Sequence, residues 1–374
     1  MKIEASSKLS LPELEAALHR LQDAGPQPTD IWLARDVGTK FFVHSRLLSL
    51  MATASRNGPV TIVDWAASFP ENWDKTFPTS IPALAALSYA ERIINAKKEE
   101  SPRSAESLRM AIERRGGDVL DDSEARAQAF CAFDAAERRQ PLALASAHNK
   151  VHFQSLFVKR LQTAFNKDGS YPDLFRNDPE LQLADLIYEL WENGFQHGSL
   201  SRENKPIPGL RILYVRRIIG ESKQSLVNRA EGFPELKQYF ESTLRDGTLR
   251  RLYEVAISDQ GLGIVERFLA TRPELRDDPS FGKTPSNIVN TIIDRALSSK
   301  VNQPGSGHGV RKALETIRDL GGFVSLRTGP LWLYSSPAAE QQGGKKTHGF
   351  TPVAFAGDLA SVAGTHFNIL IQAP

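Results

Sequence analysis

The sequence predicts an α/β protein in two parts. Three observations carry that prediction. Short β-branched runs alternate with helix-period segments in the first hundred residues. A second series of strand and helix signals begins near residue 150. Glycine and acidic clusters then stand at the strand and helix ends of that second series. The length agrees, since 374 residues exceed the ~100–200 expected of one domain.

In chain order, Leu14, Leu18 and Leu21 share one side of a helix over Leu11–Leu21. DIWLAR (30–35) and PVTIVDW (59–65) read as buried strands flanking a helix over Ser45–Ser55. This strand–helix–strand order resembles the sulfate-transporter and anti-sigma-antagonist (STAS) type of domain, in its order of elements alone. Residues 66–80, rich in Pro, Trp and Phe, read as a connecting loop. Helix is expected over Ile81–Lys98, and the charged run KKEESPRSAES after it as a linker or exposed bend. Helices over Ala105–Arg115 and Ser123–Arg139 make residues 101–149 a helical connector between an N-terminal unit, 1–100, and a larger domain, 150–374. Val151–Phe165 reads as an amphipathic helix opening that larger domain.

Composition excludes several classes. Hydrophobic residues make up 41% and charged residues 24%, as in soluble globular chains rather than disordered or collagen-like ones. Lys plus Arg (46) nearly cancels Asp plus Glu (44), so the net charge of +2 gives no global signal for nucleic acid or an anionic membrane. The single cysteine, Cys131, excludes an intrachain disulfide and a multi-cysteine zinc site, and reads as a buried apolar thiol. The N-terminus lacks the apolar core of a signal peptide, and no run reaches the ~18 apolar residues of a membrane span. A cytoplasmic protein is the expectation. No fixed-period repeat is present.

Four segments carry chemistry. In LQLADLIYELWENGFQHG (181–198), Leu183, Leu186, Ile187 and Leu190 mark an apolar helix face. Glu189, Asn193 and His197 follow at intervals of four, each about 40° further round, as a polar strip beside that face. A solvated edge reads the same way. YEVAISDQGLGI (253–264) suggests a buried strand ending at Asp259, with Gly261 and Gly263 next; a plain turn would look alike. In PGSGHGVRKALETIRDLGG (304–322), Gly305, Gly307 and Gly309 precede a helix whose first N–H groups suit phosphate, though a hinge is the simpler reading. Gly364, Thr365 and Phe367 open a terminal strand, GTHFNILI.

Other motifs fail. Asp277 stands where a P-loop ending in Gly282-Lys283-Thr284 needs glycine. No cluster completes G-x-G-x-x-G. Ser306 lies directly beside Gly305, so there is no nucleophile elbow. His308 and His366 lack companions at metal-ligand spacing and read as loop and strand residues.

E-x-x-x-N-x-x-x-H, D-x-G-x-G, G-x-G-x-G and G-T-x-F, in this order, resemble the N, G1, G2 and G3 boxes of the GHKL (Bergerat-fold, histidine-kinase-like) ATPases. That superfamily includes gyrase, heat-shock chaperones, sensor kinases, MutL proteins and anti-sigma-factor kinases. The resemblance covers about residues 150–374. It implies an α/β sandwich, a mixed, mainly antiparallel sheet backed by helices, that takes ATP or ADP with Mg²⁺.

By that resemblance Asn193 would hold Mg²⁺. Glu189 would orient and deprotonate the nucleophile, and His197 would face the phosphates. Asp259 would accept the adenine amino hydrogen beside Gly261 and Gly263. Gly305, Gly307 and Gly309 would give N–H groups to phosphate, and Thr365 would support the adenine end. The 41 residues between Gly263 and Gly305 would form the ATP lid, with helix over Ser286–Leu297. The charged segment Gly220–Arg251 reads as a helical insertion and a surface for a protein partner or a second copy.

The departures matter too. Sensor kinases usually carry a second asparagine where Glu189 stands, and none of the eight histidines is followed by an acidic residue, so self-phosphorylation on histidine is not expected. Only nine residues follow Thr365, too few for the transducer domain of the gyrase and MutL relatives. Three functions fit: a Mg·ATP-dependent conformational switch with slow hydrolysis, an anti-sigma-type serine/threonine kinase, and a non-enzymatic ATP/ADP sensor.

Overall fold

The structure is a computed structural model. It describes residues 1–6, 8–34, 40–71, 73, 83, 86–87, 89–114, 118–121, 127–134, 150–155, 157, 178–198, 200–203, 205, 207, 209–244, 250–278, 281, 284–295, 297, 308–337, 349–355 and 358–372. Side chains at 111–134, 178–181, 195–197, 209–210, 219–220, 250–251 and 308 lie outside that description.

The N-terminal unit is a four-stranded parallel sheet with helices on its inner face. Its strands β1 (Lys2–Ala5), β2 (Thr29–Leu33), β3 (Val60–Asp64) and β4 (Ala90–Asn95) lie side by side in chain order. Helix α1 (Leu11–Ala24) starts at Ser10, whose hydroxyl accepts from the Glu13 N–H while the Glu13 carboxylate accepts from the Ser10 N–H. It buries Leu14, Leu18 and Leu21, the stripe expected from their spacing. Helix α2 (Val43–Asn57) is buried over most of its circumference, which marks it as an interior element between two layers. One expectation is corrected here. The segment 90–95 is strand rather than helix, because Ile93 and Ile94 pair along β3 and complete the parallel sheet.

Helix α3 (Ala105–Arg114) follows as expected, but the helical connector does not continue. Strands β5 (Asp118–Asp121) and β6 (Ala127–Asp134) occupy the place of the helix expected over 123–139, and both join the second sheet. Pairing of β6 along β7 (Gly209–Glu221) overrides the helix propensity of its alanines. Residues 150–155 are helical, as expected of the start of that segment.

The second sheet has eight strands in the order β11-β10-β9-β12-β8-β7-β6-β5, antiparallel at every pair. They are β8 (Arg250–Ser258), β9 (Phe323–Gly329), β10 (Leu331–Ser335), β11 (Thr351–Pro352) and β12 (Val362–Gln372), with β5 to β7. Among the described residues this sheet is wholly antiparallel rather than mixed, and the parallel pairs all belong to the other sheet. Helices α5 (Lys223–Arg229) and α6 (Pro234–Thr243) form the insertion read from Gly220–Arg251.

Two cores divide the antiparallel sheet by face. The front face packs Val215, Val255, Ile257, Phe367 and Ile369 against α4 (Asp178–His197), α8 (Pro285–Asp294) and α9 (His308–Asp319). The back face packs Tyr214, Ala256, Phe323, Trp332 and Leu370 against α1, α2, α5 and α6, in one core continuous with the parallel sheet. The order of layers is therefore parallel sheet, α1 and α2, antiparallel sheet, front helices. At the start of α2, Phe42 takes a left-handed φ of 63° and its N–H donates to buried Glu254 Oε1 at 3.2 Å. Deeper in the same seam, Arg327 makes a fully buried ion pair with Glu15, 2.9 Å from Nη2 to Oε2.

Candidate functional site

The site lies where β8, β12, α4 and α9 end against one another on the front face. Helix α4 sinks Leu183, Leu186, Ile187 and Leu190 into the front core, which turns Glu189 and Asn193 toward its half-buried edge. The Asn193 side chain makes no hydrogen bond with another described residue. Glu189 has Lys150 Nζ 3.7 Å from its Oε1, and Lys150 also pairs with Asp185, one helical turn earlier, at 2.7 Å.

Asp259 follows the last residue of β8 and is 7% exposed. Its Oδ1 accepts from the N–H of Gly261 at 2.9 Å and of Thr365 at 3.2 Å. Its Oδ2 accepts no hydrogen bond among the described residues. Burial pushes the carboxyl up to about 6, against the pull of those two N–H groups and of the Arg56 and Arg211 charges. An acceptor is thus fixed on one side and open on the other.

Glycines make the room around it. A Cβ on Gly198 would lie 2.4 Å from the Asp259 Cβ, and one on Gly261 2.5 Å from the Gly198 carbonyl oxygen. Gly364, at φ +80°, would place a Cβ 1.9 Å from the Asp259 carbonyl oxygen; here β12 is bulged and Gly364 N–H donates to Gly261 O at 2.9 Å. Gly263, at φ +83°, precedes α7 (Ile264–Thr271), whose first N–H donates to Thr328 Oγ1 at 3.0 Å.

At the other end, Gly309 lies in the first turn of α9. A Cβ there would come 3.0 Å from Asn193 Nδ2 and 3.1 Å from Glu189 Oε2. A cavity of about 120 Å³ runs between the two ends. Asn193, Asp259, Gly263, Gly309 and Thr365 line it together with Arg267, Phe268 and Phe367. Over its rim, α7 and α8 share a small core of Phe268, Leu269 and Phe281. The segment expected as a lid therefore has its own packing, and the helix expected within it runs over Pro285–Asp294.

Four separate sequence motifs thus meet at one cleft. Gly305 and Gly307 lie outside the described residues. His197 ends α4, and its side chain, like that of Cys131, lies outside the description. Sequence reading missed Lys150, Gly194, Gly198, Arg267 and Thr328; it named Gly364 only as the start of the last strand. The spacing of Gly194 and Gly198 within the Asn193–His197 motif was an available signal, because it clears one helix edge for a neighbour. Lys150 had none, since its partners on α4 are brought to it only by folding. Among the described residues no cluster of three or more His, Cys, Asp or Glu could hold a metal, and no helix is long and apolar enough to cross a membrane. Comparison of the chain with protein-family models, curated proteins and solved structures finds no match in any of the three.

Proposed function

We propose that this cleft takes Mg·ATP in the manner of the GHKL ATPases, and that the protein is a nucleotide-dependent conformational switch with slow ATP hydrolysis. The observation that carries the reading is the convergence of Asn193, Asp259, Gly263, Gly309 and Thr365 on one cavity, with Glu189 against Gly309.

The residues fit the group at both ends. Asp259 presents an open carboxylate oxygen that suits an exocyclic amino donor, and its glycine surround admits a flat ring. At the far end, the Asn193 amide oxygen is available to a hard cation, which needs few protein ligands when phosphate and water complete its shell. ATP supplies the transferable phosphoryl group and Mg²⁺ the charge that steadies it. Glu189 Oε2 faces the same end and is placed to take a proton from an attacking water. Gly309 keeps that approach clear. The lid core of α7 and α8 gives the switch an element that can close.

Two variants test this. Asp259→Asn should weaken ATP binding about 10- to 150-fold, the worth of a buried hydrogen bond to a charged group. Unchanged affinity in a folded variant, by calorimetric titration, would remove the pocket assignment. Glu189→Gln should leave ATP bound while turnover falls by about 10²–10⁴. A second reading, a nucleotide sensor without turnover, draws support from Lys150, because its ammonium lies 3.7 Å from Glu189 Oε1 and so pairs with the carboxylate proposed as the base. Retained turnover in Glu189→Gln would exclude this residue as the base. Bound ATP with no turnover in the parent chain would favour the sensor.

A further inference from the structure

We infer that Arg56, at the end of α2 in the N-terminal unit, is a positioning residue for the candidate nucleotide cleft, holding the Asp259 loop from behind the sheet. The inference rests on the nucleotide reading above and extends it to a part of the chain that shares no motif with that reading.

The geometry is a clamp of two side chains one helical turn apart. Arg56 Nη2 donates to the Gln260 carbonyl and, at 2.7 Å, to the Gly261 carbonyl. Thr53 Oγ1 accepts from the Ala363 N–H at 3.2 Å. These backbone groups flank the acceptor itself. Gly261 supplies one of the two N–H groups on Asp259 Oδ1, and Thr365, two residues past Ala363, supplies the other. The Gly261 carbonyl also accepts from Gly364 N–H, so it is shared between β12 and α2. Loops of this kind normally leave such carbonyls to water. Here a guanidinium gives them charge-assisted bonds, which are stronger and more directional than neutral ones.

The other end of α2 is fixed as well. Phe42 N–H donates to Glu254 Oε1, and Glu254 stands on β8, five residues before Asp259. Helix α2 therefore spans the strand that delivers Asp259, anchored at Glu254 before it and at Gln260 and Gly261 after it. A shift of α2 along the sheet would move the acceptor relative to the Asn193 and Gly309 end of the cleft. By linkage, closing the cleft on nucleotide would in turn hold α2. The parallel sheet that packs on α2 is thereby joined mechanically to the site.

The test is a double-mutant cycle on nucleotide affinity, with hydrogen exchange of the 259–263 amides read in the absence of nucleotide. Arg56 is exposed to solvent, so Arg56→Met should weaken ATP by only about 5-fold, the low end of ordinary coupling, and speed exchange of the loop. Arg56→Lys keeps the charge and one donor and should lie between parent and Arg56→Met, which also covers the case of a poorly folding Arg56→Met. In an Asp259→Asn background Arg56→Met should cost almost nothing more, because the amide oxygen stays on the Gly261 and Thr365 N–H groups and the open side then carries a donor instead of the acceptor to be aimed. A residue that served stability alone would give additive losses. Additive losses, or ATP affinity and exchange unchanged in Arg56→Met while the parent binds, would overturn this inference and leave the nucleotide reading standing. A parent chain that binds no ATP would overturn both.

Discussion

The two faces of strand β12 show how one element serves two purposes. Thr365, Phe367 and Ile369 face the front, where the first two line the cleft and the last two pack beneath the helices. His366 and Asn368 alternate with them and face back, level with Arg327 and Ser325 of β9. The front is mostly apolar, with glycines and the Asp259 and Glu189 carboxylates, and it leaves polar atoms open. The back is buried just as deeply, but it is crossed by ion pairs and hydrogen bonds from α1 and α2. Arg46 lies over the Trp332 ring at 4.4 Å, and the Glu15–Arg327 pair sits alongside. Strand β12 is hidden on both faces, so its alternation is not one of inside and outside. It is one of a face that lines a cavity and a face crossed by buried polar contacts.

If that division holds, the largest losses of stability should come from the back. Glu15→Ala leaves the Arg327 guanidinium buried without its carboxylate and should cost about 3–5 kcal/mol. Replacing both residues by Met should recover most of that. Urea unfolding of the three variants measures it, with nucleotide affinity hardly moved in whatever stays folded. Recovery that fails would mean the ion pair is needed for more than filling space.

Gly364→Ala strikes the seam, where both faces should suffer together. Its Cβ has no room beside the Asp259 carbonyl, and its φ of +80° suits glycine alone, for about 3 kcal/mol of stability and a loss of nucleotide binding in the same variant. Thermal unfolding and titration on one sample would show whether the two losses travel together.

The pH response sharpens the contrast further. Asp259 is raised to about 6 in the fold from an ordinary 3.8, so the folded protein holds a proton there that the unfolded chain has already released. Its contribution to stability is greatest below about pH 4 and declines as pH rises to about 6, by at most about 3 kcal/mol. Binding runs the other way, because the ionised acceptor is the competent form, and affinity should grow as pH rises through about 6. On the back face, burial holds His366 down to about 3, so it opposes folding as pH falls from about 6.5. Asp259→Asn should remove the first trend and leave the second. Chemical unfolding from pH 4 to 8 separates them.

The smallest effect is expected at the front. Gly309→Ala asks Glu189 and Asn193 to yield a few tenths of an ångström, and alanine suits a helix, so stability should change by under about 1 kcal/mol. Turnover should fall by roughly 10- to 100-fold through misplacement of the two side chains, with ATP still bound. Single-turnover kinetics beside an equilibrium titration would expose that split.

Much of this architecture could be read from local pattern. The leucine spacing announced α1, and the strip of Glu189 and Asn193 beside Leu186 and Leu190 announced a polar helix edge. Strands β4 and β6 were hidden because AERIIN and AQAFCAFD carry good helix formers, and their partners β3 and β7 lie about 30 and about 75 to 89 residues away. The front of the site was legible because each of its motifs is a short segment with its own turn chemistry. Arg56, Thr53 and Lys150 were not, because an arginine that holds two carbonyls 204 and 205 residues on has no signature beside it in the chain.

The Glu15–Arg327 pair also sets an order of assembly. The two residues are 312 positions apart, so during synthesis the carboxylate emerges long before any cation can meet it. Until β9 arrives, α1 can keep Glu15 only at a hydrated surface, and the layer between the two sheets cannot close. Contacts of such span are slow to form and late to be rewarded. The N-terminal unit therefore cannot close its inner layer until nearly the whole chain is present. Shortening that wait by circular permutation, with α1 and β9 brought close in sequence, should speed folding more than it changes final stability.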